Sequence, residues 1–265
     1  MVIERNHLVY FSPTHTSQKV ARAICEGIGM DARQEIDLTT DDGTSPLNIK
    51  NSVCVIASPV YAGRVPVEAL KRFSRLRPEN SLAVVVAVYG NRHYDDALIE
   101  LRDEAERMGF KVVAAASFIG EHSYSRPGMP VAEGRPDDSD LMKARDFGRR
   151  VKAMLDGLEA GSLDEPGILQ VPGNYPYKPL GVGMKVAPVS TADCSGCGEC
   201  VDVCPTKAIT VIDYTKPVTD VDLCIKCCAC VKMCPCGARV FDTPFTAKLH
   251  AMCAERREPE VFFIA

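Results

Sequence analysis

The 265-residue chain has no surplus of basic residues: 31 Lys and Arg stand against 35 Asp and Glu, a formal charge of -4. Phosphate backbones are held by clustered cations, so the composition argues against nucleic acid as a partner. No stretch approaches the roughly 18 apolar residues that a membrane helix needs, which leaves out a membrane span. The opening residues, MVIERNHLVYFSP, place an acid and a base before a short apolar run. That is neither a signal peptide nor an anchor, and the expectation is a cytoplasmic protein. No G-x-G-x-x-G fingerprint follows a predicted strand, so a dinucleotide site of that type is not expected. A C-x3-C-x2-C run is missing too, which speaks against radical chemistry on S-adenosylmethionine.

What the chain does have is cysteine. There are 13, and 11 of them follow residue 193, so the enrichment belongs to one segment. An odd count without an export signal makes a disulfide framework a poor explanation. The first copy of a repeat of about thirty residues runs Cys194, Cys197, Cys200, Cys204, Pro205, and the second runs Cys224, Cys227, Cys230, Cys234, Pro235. Both fit C-x2-C-x2-C-x3-C-P. Three thiolates spaced two residues apart wrap one cubane, and the fourth, unable to reach round it, crosses to the other. The expected sets are Cys194, Cys197, Cys200 and Cys234 for one [4Fe-4S] cluster, and Cys224, Cys227, Cys230 and Cys204 for the second. Zinc is the competing reading, but zinc sites usually present two pairs across a longer loop. Cys228 and Cys236 lie off the ligand spacing, and Cys25, Cys54 and Cys253 read as core residues.

Residues 1–155 alternate apolar runs with helical patterns. Strands are expected at 7–11, 52–57, 82–88 and 112–119, with a shorter one at 34–38. Helices are expected at 17–28, 66–76, 94–108 and 138–155. This predicts a doubly wound, parallel, five-stranded α/β sheet. Residues 156–190, rich in Pro and Gly, read as an ordered connector anchored by Ile168, Leu169, Val171, Tyr175, Tyr177 and Leu180. The repeat occupies 191–242, and 243–265 supplies a helix and an apolar tail expected to pack back on the protein.

After the first strand comes Ser12-Pro13-Thr14-His15-Thr16-Ser17, then a helix. Hydroxyls and free amides at a helix start make a phosphate cradle. Two further loops fall beyond the ends of later strands, where such a sheet binds ligands. They contain Pro59, Val60, Tyr61, Ala62 and Gly63, and Tyr89, Gly90, Asn91, Arg92 and Tyr94. A third loop, 120–125, reaches the same rim with His122 and Tyr124.

The run 12–17 resembles the flavodoxin phosphate loop S/T-x-T-G-x-T, with His15 in place of its glycine, and the cysteine repeat resembles bacterial two-cluster ferredoxins. Together they resemble the flavodoxin-ferredoxin fusion proteins of anaerobic microbes. The resemblance implies FMN, its phosphate on Ser12, Thr14, His15, Thr16 and Ser17. Tyr61 and Tyr94 would flank its ring, and Gly90 and Asn91 its pyrimidine side. It also implies two [4Fe-4S] clusters, and an electron carrier between redox protein partners. The alternative is an FMN-dependent reductase of a small molecule fed by its own clusters, with His93, His122 and Tyr124 as candidate proton donors.

Overall fold

The computed structural model describes residues 3, 5–30, 33–157, 167–181, 183–212 and 216–264. In its N-terminal part, β1 (Arg5–Tyr10), α1 (Thr16–Ile28) and β2 (Arg33–Asp37) are followed by β3 (Leu47–Lys50), β4 (Ser52–Pro59), α2 (Val67–Phe73) and β5 (Leu76–Glu79). Then come β6 (Leu82–Tyr89), α3 (Ala97–Arg107), β7 (Lys111–Ile119) and α4 (Asp138–Gly157). The C-terminal part contains β8 (Val189–Ser190), α5 (Glu199–Asp202), β9 (Ile209–Val211), β10 (Pro217–Thr219), α6 (Ala229–Lys232) and β11 (Arg239–Val240). Helix α7 (Pro244–Met252) and β12 (Glu260–Phe263) close it.

Strands β4 and β6 are buried along their whole length, as continuous apolar runs are when helices cover both faces of a parallel sheet. The main sheet runs β12-β7-β6-β4-β1-β2. Its five parallel strands, taken in chain order, stand 2-1-3-4-5, which is the flavodoxin-like order. Helices α1 and α4 share one face, where Ile24, Ile28 and Phe147 pack on Leu8, Val55 and Val84. They cross where Gly27 and Gly148 remove side chains; a Cβ on either would come within 2.1 Å of a carbonyl oxygen of the other helix. Helices α2 and α3 cover the opposite face with Ala69, Phe73, Leu98 and Leu101.

The expected five-stranded sheet gains a sixth strand. The tail returns as β12 and pairs antiparallel with β7, from Glu260 against Ser117 to Phe263 against Ala114. The helix expected over 66–76 stops at Phe73, and Leu76 opens β5, which pairs with β3 outside the main sheet. Segment 187–242 is a small α+β unit of two antiparallel ribbons, β9 with β10 and β8 with β11, and two one-turn helices.

The connector is held mainly by polar contacts. Leu169 is buried, but Ile168, Tyr175 and Leu180 are exposed and anchor nothing. Asp96 accepts hydrogen bonds from the Asn174 and Lys178 amides at 2.9 and 2.6 Å, and the Tyr177 hydroxyl donates to Asp103 at 2.5 Å. Residues 158–166 and 182 of the connector lie outside the described residues.

Candidate cofactor sites

The loop leaving β1 turns sharply into α1. The Ser12 amide donates to Thr39 Oγ1 at 2.8 Å, the Ser12 hydroxyl accepts from the Gln18 amide at 3.1 Å, and the Ser12 carbonyl accepts from the His15 amide at 3.0 Å. His15 sits in the left-handed region, φ 62°, and its side chain is exposed. It therefore takes the glycine-like conformation of a phosphate loop at a cost of about 1 kcal/mol, with the imidazole turned to solvent. The first amides of α1 lack partners within the helix. Ser17 is fully buried, and its hydroxyl has no partner. A buried hydroxyl without a partner at a helix start is suited to an acceptor such as a phosphate oxygen.

The other loops gather at the same end of the sheet. Gly120 lies so close to Thr16 that a Cβ would come within 2.8 Å of it, and the His122 ring lies 2.3 Å from where a Cβ on Gly90 would stand. Tyr61 and Arg64 close a tight turn by mutual backbone bonds of 3.0 Å, with Ala62 and Gly63 at positive φ. Pro59 ends β4, and the Val60 amide bonds the Val88 carbonyl at 2.9 Å. Burial pushes the Tyr61 hydroxyl well above its ordinary range, and Cys227 and Cys228 add to the effect.

Three expected contacts of this rim are otherwise engaged. Tyr94 is buried and donates its hydroxyl to Glu260 at 2.7 Å, so it braces β12 instead of facing an open rim. The Asn91 side chain donates to the carbonyls of Cys253 and Glu255, both at 2.8 Å. Arg92 is paired with Asp95 at 2.5 Å. Tyr89 is buried at the end of β6, its carbonyl accepting from the Gly120 amide at 3.0 Å. His122, by contrast, faces the rim. Burial, then the charges of Lys232 and Arg92, lower it to about 4, and its Nδ1 accepts from the Tyr124 amide at 3.0 Å.

The cysteine segment sits on this rim. Arg72, buried and stacked over Phe11, donates to the Pro205 carbonyl at 2.5 Å and to the Leu38 carbonyl at 2.9 Å. Lys232 spans Glu121 at 2.6 Å and the Ser125 carbonyl at 2.8 Å. Arg126 pairs with Asp242 at 2.7 Å, and the Tyr124 ring meets Phe241 edge-on at 5.0 Å. None of these docking residues has a local sequence signature, because each partner across the junction is more than a hundred residues away.

Cys204 from the first copy lines one cavity together with Cys224, Cys227 and Cys230 from the second. The cavity, about 290 Å³ including the part open to solvent, is otherwise walled by residues such as Pro188, Pro205, Ile209, Ile225 and Ala229. The donor set, thiols from both copies around an apolar hollow, is of the kind that would ligate a cubane. Burial raises the thiols of Cys224, Cys227 and Cys230, the last to about 11 although Arg239 pulls it down. Iron bound there would displace protons from these thiols. In the other expected set, Cys194 and Cys197 lie within electrostatic reach of Cys200. Cys234 reaches the same loop: its sulfur is 3.8 Å from that of Cys236, which is 3.8 Å from the Ser195 hydroxyl. Cys228 is buried and lines the first cavity.

A family model described as a 4Fe-4S binding domain matches residues 187–210. Among solved structures, an archaeal flavodoxin aligns over 57% of this chain and 99% of its own at 16% identity, with a TM-score of 0.42. The Streptococcus pneumoniae TIGR4 flavodoxin aligns over 57% and 99% at 14% identity and TM-score 0.38. Rubredoxin:oxygen oxidoreductase from Desulfovibrio gigas aligns over 58% and 37% at 14% identity and TM-score 0.42. No curated protein matches the chain. The strand order, not these scores, identifies the N-terminal fold as flavodoxin-like. The chain thus joins a flavodoxin-like α/β sheet to a ferredoxin-type 4Fe-4S segment, and its role is a redox one. No helix among the described residues is long and apolar enough to cross a membrane.

Proposed function

We propose that this chain is an electron-transfer protein that holds FMN at the C-terminal edge of its parallel sheet and two [4Fe-4S] clusters in its cysteine segment, exchanging electrons with redox protein partners. The observation that carries the reading is the cavity in which Cys204 of one copy joins Cys224, Cys227 and Cys230 of the other, close to Tyr61 on the sheet edge. FMN supplies one- or two-electron chemistry, and each cluster supplies one electron at a time.

The residues divide that work. Ser17, with Ser12, Thr14, Thr16 and the backbone at His15, would hold the phosphate; Tyr61, Gly90 and His122 would border the ring. Cys194, Cys197, Cys200 and Cys234 would ligate the second cluster. Arg72 and Lys232 fix the cysteine segment against the sheet, so the distance between the centres is set by the fold and not by a tether. The carrier reading is preferred to a reductase of small molecules. A reductase needs a ready proton donor at the ring, whereas His122 is held neutral and burial makes the Tyr124 hydroxyl a weaker acid than a free phenol.

The test is an anaerobic preparation assayed for iron, sulfide and released flavin. The expected result is about eight irons and one FMN per chain. About four irons would remove the two-cluster reading, and a protein that takes up no FMN on reconstitution would remove the flavin. Ser17→Val, which blocks the cradle and leaves the cysteines untouched, should lower FMN content without changing iron.

A further inference from the structure

Of the positions buried in both cysteine copies, one carries different residues. Five residues after its fourth cysteine the first copy has Ile209, buried in a small core with Cys200 and Cys230. Five residues after Cys234 the second copy has Arg239, which is only 2% exposed. A repeat that keeps its ligand spacing has exchanged an apolar core residue for a cation.

The Arg239 guanidinium is surrounded by neutral acceptors. It donates to the Pro188 carbonyl at 2.9 Å, Thr219 Oγ1 at 2.6 Å, Ser190 Oγ at 3.0 Å and the Pro217 carbonyl at 3.4 Å. Its Nη2 is 3.9 Å from the Cys230 sulfur, and its buried Nε has no partner. Among the described residues no carboxylate pairs with it. A buried cation without a counter-charge costs several kcal/mol, and neutral acceptors ease that cost without cancelling the charge. Cys230 shares a small core with Cys200, so the cation stands beside thiols drawn from both expected ligand sets.

We infer that Arg239 is the fixed counter-charge of the cluster pair, and that it raises their reduction potentials, most of all for the cluster that Cys230 would ligate. The inference rests on the cluster-binding reading above. Four thiolates make a [4Fe-4S] centre anionic, and the single electron it accepts on reduction makes it more so. A nearby buried cation therefore stabilises the reduced form more than the oxidised one, and net charge and hydrogen bonds to sulfur are among the properties that set cluster potential.

The experiment is a dithionite-driven, EPR-monitored redox titration of the full-length, iron-loaded protein and of Arg239→Gln. The expected result is unchanged iron content and at least a tenfold loss in the equilibrium constant for reducing one cluster, a midpoint lower by 59 mV. Thr219→Asp is the second variant. It leaves the arginine in place, sets a carboxylate beside it and should lower the midpoint in the same direction. Full iron content with unmoved midpoints in both variants would overturn the inference and leave the cluster reading intact. A wild-type protein that holds no iron would overturn both.

Discussion

The α/β sheet fills two apolar layers, one on each face, from side chains such as Phe11, Phe73 and Leu98 on one side and Ile24, Phe118 and Phe147 on the other. Segment 187–242 has a core of Cys200, Ile209 and Cys230, with Val201, Val203, Cys204 and Val231 around it. Several of its valines and isoleucines, including Val189, Ile212 and Val218, face solvent. The contrast teaches that hydrophobic burial suffices for the first region and not for the second, whose cysteines stand where a small domain would otherwise place aliphatic side chains. In the proposed reading, metal-ligand bonds would take over the part of the core, as in other small domains that fold around their metal.

The largest effect should come from removing that metal. Stripping iron with a chelator under oxidising conditions should expose 191–242 to limited proteolysis while the sheet keeps its own cooperative melting transition. One transition shared by both regions, or a protease-resistant stripped segment, would break the contrast. A smaller effect sharpens the other side of it. Arg135 and Asp140 form a buried ion pair, with Arg135 Nε 2.8 Å from Asp140 Oδ2, and Arg135 also donates to the Arg257 carbonyl at 2.8 Å. Asp140→Asn leaves a buried cation unpaired and should destabilise the sheet by about 3–5 kcal/mol in urea unfolding, with iron content unchanged.

The smallest effect lies at the junction. His122 titrates at about 4 in the folded chain, against an ordinary value of 6.5. Between those values the unfolded chain binds a proton that the folded chain does not, so stability is lost as the pH falls through that window. His122→Asn should flatten that slope in denaturant midpoints measured from pH 7 to pH 4. An unaltered slope would show that the ring is not held neutral by its packing against Gly90.

The fold and the 4Fe-4S character of the cysteine segment were legible because their signals are local. A fully buried parallel strand reads as an unbroken apolar run, as 52–57 and 82–88 do, and ligand spacing is a property of a few adjacent residues. The rim was legible only in part. Tyr61 and the loop at His15 lie at strand ends on one edge of the sheet, whereas Tyr94 and Asn91, equally plausible by position, are engaged by Glu260, Cys253 and Glu255. Those partners lie some 160 residues on, and no window of sequence brings them together. Arg239 had a signal, its mismatch with Ile209 between the copies, which becomes informative once the burial of both is known.

The pairing of β12 with β7 has a consequence for how the molecule is made. Residue 119 ends β7, but its outer edge stays open until residues 260–263 arrive. At ribosomal speeds of about 5–20 residues per second the intervening stretch takes roughly 7–30 s to emerge. During that interval a nascent sheet presents an unpaired, apolar edge, a template for adhesion to other chains. Closure follows only after the whole cysteine segment has been synthesised, so a strand translated long after the others seals the sheet.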